Sequence, residues 1–133
     1  MSKTILIIDD FASVRLYHMS FLTRKGYRCI GAGDGADALA KLRENHVDLV
    51  LLDLVMPGMD GAAFMAALAA NPALASLPVL AITSEEPLAQ AVFGGSSRPM
   101  SILTKPVMPG ALLRRVQQLL PLSETAPVPV PGV

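Results

Sequence analysis

Five polar residues, each closing an apolar run, have types and spacing that could do chemistry together. Asp9 and Asp10 follow Thr4–Ile8, Asp53 follows Leu49–Leu52, Thr83 follows Val79–Ile82, and Lys105 follows Ser101–Thr104. Short, nearly continuous apolar runs read as strands buried on both faces, so each polar residue stands at the C-terminal tip of a strand. In an open parallel sheet that edge is where ligands bind. Three carboxylates gathered there repel one another, and burial would push at least one to protonate. A divalent cation resolves the conflict. Magnesium suits it, because it takes oxygen ligands from one or two carboxylates and keeps water for the rest. A lysine ammonium is a compact charge that can hold a phosphoryl oxygen, and a carboxylate can be the nucleophile that forms an aspartyl-phosphate. Phosphoryl transfer needs mainly positioning and charge neutralisation, which metal, lysine and hydroxyl would supply around the acceptor.

Taken singly, most of these residues have simpler explanations. Asp9-Asp10 reads as a strand end that caps the next helix, Thr83 as a helix cap, and Lys105 before Pro106 as a solvated loop lysine. Asp53 is harder to dismiss, since a carboxylate directly after Leu51-Leu52 in a buried strand is uncommon without a partner. The joint pattern carries the functional reading.

The elements that must position these residues alternate as strand and helix five times, without a fixed-period repeat. Such alternation argues for a parallel sheet with helices on both faces, and right-handed crossovers make it doubly wound. After the first strand, a helix is expected from about Ala12 to Lys25, closed by Gly26. Its inward stripe is expected to be Val14, Tyr17, His18, Phe21 and Leu22, which makes His18 a packed histidine rather than a phosphorelay one. Arg28–Ala32 is the second strand and contains Cys29, the only cysteine, which reads as packing. Helices follow over about Ala36–Asn45, with His46 expected to cap the C-terminus, and over Ala62–Ala70, stopped by Asn71-Pro72. Glu85–Ser97 should hold a fourth helix of two or three turns, limited by Pro87 and by Gly94-Gly95-Ser96-Ser97. The last helix runs from about Pro109 to Leu120. If the strand order is 2-1-3-4-5, the first and third strands are neighbours. Asp9, Asp10 and Asp53 then converge, with Thr83 and Lys105 on the far side of Asp53.

The 133 residues fit one domain, with 52% apolar and 17% charged residues, a globular composition. Residues 1–120 form that domain, and 121–133, rich in proline, read as a flexible tail. Eleven basic residues balance eleven acidic ones, so no global field attracts nucleic acid or an anionic membrane. No run approaches a membrane span, and the expectation is a cytoplasmic protein.

The stretch DLVLLDLVMPGMDG (Asp48–Gly61), together with Asp9-Asp10, Thr83-Ser84 and Lys105-Pro106, resembles the CheY-like receiver domains of two-component response regulators. The likeness covers roughly Lys3 to Leu120. Each motif alone is weak, but all of them in order at these spacings are specific. The resemblance implies a flavodoxin-like, doubly wound, five-stranded parallel sheet of order 2-1-3-4-5. It also implies that Asp53 is the phosphoacceptor and that Asp9, Asp10, Asp53 and the backbone carbonyl of Val55 hold Mg2+. Thr83 and Lys105 would bind the phosphoryl group. The implied partners are a histidine kinase or histidine phosphotransfer protein and a downstream protein, with no nucleic acid and no membrane. A single-domain, monomeric regulator is the expectation, with dimerisation through the last strand and helix as the alternative.

Three positions depart from the family pattern. Ile102 stands where receivers usually carry an aromatic that acts with Thr83 as a switch, and a β-branched side chain cannot swing a ring. The segment around Glu85–Ser97 and the Ser97–Met100 loop differ from the family's common output face. Val55, two residues past Asp53, cannot orient an attacking water, a role open to Glu85. Leu16 and Met19, outside the inward stripe, are the expected docking residues for the phosphodonor. The rival readings are a degenerate receiver that docks partners without phosphorylation and a haloacid-dehalogenase-type phosphatase. The phosphatase is disfavoured, because Val55 stands where that class needs a second acid.

Overall fold

A computed structural model of the chain describes residues 2–54, 61–84 and 98–120. Five parallel strands, β1 (Thr4–Ile8), β2 (Arg28–Ala32), β3 (Leu49–Asp53), β4 (Val79–Thr83) and β5 (Met100–Thr104), lie in the order β2-β1-β3-β4-β5. The described helices are α1 (Ala12–Arg24), α2 (Gly35–Glu44), α3 (Gly61–Ala70) and the C-terminal α4 (Pro109–Leu119), with a 3₁₀ turn at Pro72–Leu74. The fourth helix expected within Glu85–Ser97 and the tail expected at 121–133 lie outside the described residues, as does Val55.

The apolar runs of β1, β3 and β4 are buried at every position because helices cover both faces of the sheet. Strand alternation then divides the core in two. On one face Leu6, Ile8, Val50, Leu52, Val79 and Ala81 meet Ala38 and Leu42 of α2 and Phe64, Met65 and Leu68 of α3. On the other, Ile5, Ile7, Leu49, Leu51, Leu80 and Ile82 meet Leu22 of α1 and Leu112 and Val116 of α4.

Helix α1 ends as its sequence leads one to expect. Gly26 takes a φ of +100°, the Gly26 amide donates to the Thr23 carbonyl, and the Tyr27 amide donates to the Leu22 carbonyl. This is the Schellman arrangement, and Tyr27 packs in the same cluster as Leu22. The inward stripe differs from the expectation. His18 and Leu22 are buried as expected, but Val14 and Tyr17 are exposed, while Arg15, Met19 and Phe21 are half-buried. The stripe is therefore Arg15, His18, Met19 and Leu22, rotated by one position. The cause is Arg15, an inward-facing cation that an apolar pattern cannot register.

His46 does not cap α2. Asn45 occupies the cap, with its amide nitrogen and its side-chain Nδ2 both donating to the Lys41 carbonyl. His46 instead stands exposed, its Nε2 2.9 Å from Asp48 Oδ1. Asp48 in turn accepts the Thr4 amide on Oδ2, at 2.8 Å, fixing the start of β3 to the start of β1. Before β5, the buried Arg98 donates from Nη1 to the carbonyls of Leu74 (2.9 Å) and Leu77 (3.0 Å), tying this entry to the approach of β4.

Both outer strands carry a cation on an outward-facing carbonyl. In β2, Arg28 and Ala32 bond toward the β1 side, so Gly31 faces away, and its carbonyl accepts from Lys41 Nζ at 3.2 Å. In β5, Pro99 and Lys105 bond toward β4, so Ile102 faces away, and its carbonyl accepts from Arg115 Nη1 at 2.8 Å. The same Arg115 nitrogen lies 2.6 Å from Ser101 Oγ.

Leu80, fully buried in β4, tests the weight of the core. Leu80→Ala is expected to cost about 2–5 kcal/mol, the usual range for a buried leucine truncated to alanine. Urea unfolding should show this as a lower midpoint with an unchanged slope.

Candidate functional site

The polar tips meet as the strand order requires. β1 and β3 are adjacent, and Ile8 pairs with Leu52, so Asp9 and Asp53 follow at the same level. Carboxylate oxygens of Asp9, Asp10 and Asp53 lie within 4.8 Å of one another. On the other side of Asp53, β4 runs one residue further to Thr83, which is fully buried and pairs with Thr104. Lys105 follows, with its amide donating to the Thr83 carbonyl at 2.9 Å. Its Nζ reaches back to Asp53 Oδ2 at 3.0 Å. Asp53 is 4% exposed, whereas more than a third of the Lys105 side chain is open to solvent. The ammonium therefore approaches a buried carboxylate from the rim.

Asp9 is held at three points. Its amide donates to the Ala32 carbonyl at 3.1 Å. Its Oδ1 accepts the Phe11 amide at 3.0 Å, and its carbonyl accepts Arg15 Nη1 at 2.6 Å. Burial pushes the Asp9 carboxyl above the usual aspartate range; the Phe11 amide opposes the rise and the nearby charge of Asp53 adds to it. Asp10 is half-buried, and its Oδ1 is shielded from water with no hydrogen-bond partner among the described residues. A buried carboxylate oxygen left this way costs free energy unless something else neutralises it.

His18, buried on α1, feels the charges of this group. Burial pushes its imidazole below the ordinary histidine range, against the pull of Asp9 and Asp53. That agrees with the packed histidine expected from the sequence. Cys29 is half-buried, and burial raises its thiol above the ordinary range, which also fits packing rather than reactivity.

Asp9, Asp10, Asp53, Thr83 and Lys105 are thus all placed on one edge. Ile102 is half-buried and packs on the cluster shared with α2 and α3. It stands opposite Ala81, two residues short of the Thr83–Thr104 pair. Leu16 is 60% exposed, whereas Met19 is half-buried and packs against the core cluster under α1, so less of it faces outward than the sequence reading expected. The outward apolar residues are Phe11, Val14, Leu16 and Tyr17. Sequence reasoning missed Arg15. Its one available signal was an arginine close to the start of a helix, where the macrodipole disfavours a cation unless another contact holds it.

Comparisons with known proteins agree with this geometry. The response regulator receiver domain family model matches residues 5–117. The response regulator PleD of Caulobacter vibrioides is 38% identical over 120 residues, covering 90% of this chain and 26% of PleD. The DNA-binding response regulator MtrA of Mycobacterium tuberculosis is 33% identical over 127 residues, covering 96% of this chain and 54% of MtrA. The chain therefore spans from about a quarter to about half the length of these relatives. Among solved structures, chemotaxis protein CheY4 of Vibrio cholerae superposes with a TM-score of 0.82 at 30% identity, covering 90% of this chain and all of CheY4. With its strand order, its three convergent aspartates and its lysine on the central one, this chain belongs to the receiver domain family of two-component response regulators.

Proposed function

We propose that the chain accepts a phosphoryl group on Asp53 from a phosphohistidine of a histidine kinase or phosphotransfer protein, and that it signals through phosphorylation-dependent protein contacts. The observation that carries this reading is the buried Asp53 carboxylate, flanked by two further carboxylates and gripped by Lys105. In the transfer, the phosphorus–nitrogen bond of the donor breaks with its electron pair leaving on the imidazole, and an Asp53 oxygen forms the new bond to phosphorus. Lys105 already fixes one Asp53 oxygen, and its exposed stem lets the ammonium follow the arriving phosphoryl oxygens. The Thr83 hydroxyl, one residue past the Asp53 level on the adjacent strand, is the proposed further donor to the phosphoryl group.

Magnesium fits the acid side of the site. Oxygen-only donors suit a hard cation, and the unpartnered Asp10 Oδ1 is the atom whose burial it would explain. Asp9, Asp10 and Asp53 would hold it; the Val55 carbonyl expected to join them lies outside the described residues. The ion would neutralise the crowded carboxylates and the incoming phosphoryl charge. Glu85, the candidate for orienting water, is also outside the described residues.

The phosphodonor is proposed to dock on the outward side of α1 at Leu16 and Tyr17, with the exposed Phe11, which directly follows Asp10, at the edge of this surface. Met108, 63% exposed just before α4, adds apolar surface on the loop that follows Lys105.

Incubation with acetyl phosphate and Mg2+ should add the mass of one phosphoryl group to the wild type and none to Asp53→Ala. Chelator should abolish the gain. An unmodified wild type that also fails to bind beryllofluoride would identify a docking module instead. Leu16→Glu combined with Tyr17→Glu should slow transfer from the cognate phosphodonor by about tenfold or more, on the scale of a lost interface anchor, while acetyl phosphate still modifies the protein normally.

The raised Asp9 carboxyl sets a pH dependence in the metal-free protein. Because its folded value lies above the unfolded one, its contribution to stability is fully present below the ordinary aspartate range. That contribution is lost as pH rises through the folded value. Asp9→Asn should therefore raise the melting temperature of the metal-free protein at neutral pH. The wild type should gain thermal stability when Mg2+ is added, and the variant should lose most of that gain.

A further inference from the structure

The turn that carries Asp9 and Asp10 is held from behind by a residue that no part of the reaction touches. Arg15 reaches from the inward face of α1, and its Nη1 lies 2.6 Å from the Asp9 carbonyl oxygen. That carbonyl joins Asp9 to Asp10, so the contact fixes the peptide between the two carboxylates. The Arg15 amide closes the first turn of α1 on the Phe11 carbonyl at 2.9 Å, and the Phe11 amide holds Asp9 Oδ1. Arg15 and Asp9 thus brace one turn from opposite ends.

The path of the arginine depends on a glycine in the neighbouring edge strand. A Cβ on Gly31 would stand 3.1 Å from Arg15 Cδ, 3.2 Å from Arg15 Nε and 3.0 Å from Met19 Sδ. A Cβ on Gly33 would be 3.6 Å from Arg15 Nη1. Gly31 has an ordinary backbone conformation, since Gly26 is the glycine with positive φ among the described residues. Its lack of a side chain is therefore explained by close approach, the usual meaning of glycine inside a strand.

We propose that Arg15, seated across Gly31, is a positioning residue for the metal site: it locks the Asp9–Asp10 peptide so that both carboxylates face the same ion. This rests on the reading of the acid cluster as a magnesium site. Groups that orient metal ligands from behind typically change metal affinity by about 10–100-fold when removed. A bare charge effect has the opposite sign. Deleting a nearby cation from a cation site should tighten metal binding, because one repulsion is gone. The direction of the change therefore separates positioning from charge.

The test is calorimetric titration of Mg2+ into wild type, Arg15→Met, Arg15→Lys and Gly31→Ala, with hydrogen exchange of the Phe11 amide followed in the metal-free proteins. Arg15→Met keeps the apolar stem and removes the fork. It should weaken Mg2+ binding about 10-fold or more and speed exchange at Phe11. Arg15→Lys, which keeps the charge but not the planar fork, should fall between wild type and Arg15→Met. Gly31→Ala leaves the arginine in place but crowds its stem, and should weaken Mg2+ binding in the same direction. Acetyl phosphate labelling of Arg15→Met should recover at high Mg2+, because the defect lies in holding the ion. Equal or tighter Mg2+ binding by Arg15→Met, beside a wild type that binds, would overturn the role of Arg15 alone. If Arg15→Met does not fold, unchanged binding in both Gly31→Ala and Arg15→Lys would overturn it equally. A wild type with no Mg2+ affinity would overturn the metal-site reading, and this proposal with it.

Discussion

Negative charge crowded into one buried edge is the constraint that the rest of the structure serves. Asp9 and Asp53 are almost wholly buried, with Asp10 beside them, and like charges at such spacing destabilise the folded chain. The fold tolerates them because the surroundings are specific. A backbone amide faces Asp9, an ammonium faces Asp53, and the strands behind them form an apolar core tight enough to absorb the cost. The same crowding makes the site responsive. An added cation here would relieve repulsion among carboxylates that the fold already holds close together.

Much of this was legible in the sequence, for identifiable reasons. Buried parallel strands read as unbroken apolar runs, so β1, β3 and β4 were located almost to the residue, and their terminating polar residues came with them. Crossover handedness and strand order then brought Asp9, Asp10, Asp53, Thr83 and Lys105 to one edge without any side-chain detail. Gly26 announced the end of α1 through the positive φ that its position demands.

The phase of α1 was not legible. An apolar pattern assigns the inward face to whichever stripe is most apolar, but here one inward position belongs to Arg15, whose head group serves the Asp9 carbonyl while its stem packs over glycine. With that position misjudged, Val14 and Tyr17 were turned inward and Met19 outward. His46 failed for a different and local reason: Asn45 takes the Lys41 carbonyl at the helix end, and the imidazole turns instead to Asp48, two residues on. Local propensity misleads where a polar side chain has a rival partner, such as the Asp9 carbonyl for Arg15.

The cations on the two outer strands bear on how the sheet meets other molecules. An open parallel sheet offers unpaired backbone at both margins, and a further strand could extend the ladder there. In this chain the Gly31 and Ile102 carbonyls, near the middle of those margins, are already engaged by Lys41 and Arg115 from the helices that follow or flank them. A strand arriving from outside must first displace a charged hydrogen bond, and it gains only one backbone bond at that position in return. Recognition is thereby steered away from ladder extension and toward side-chain surfaces, where sequence rather than shared backbone geometry discriminates one partner from another.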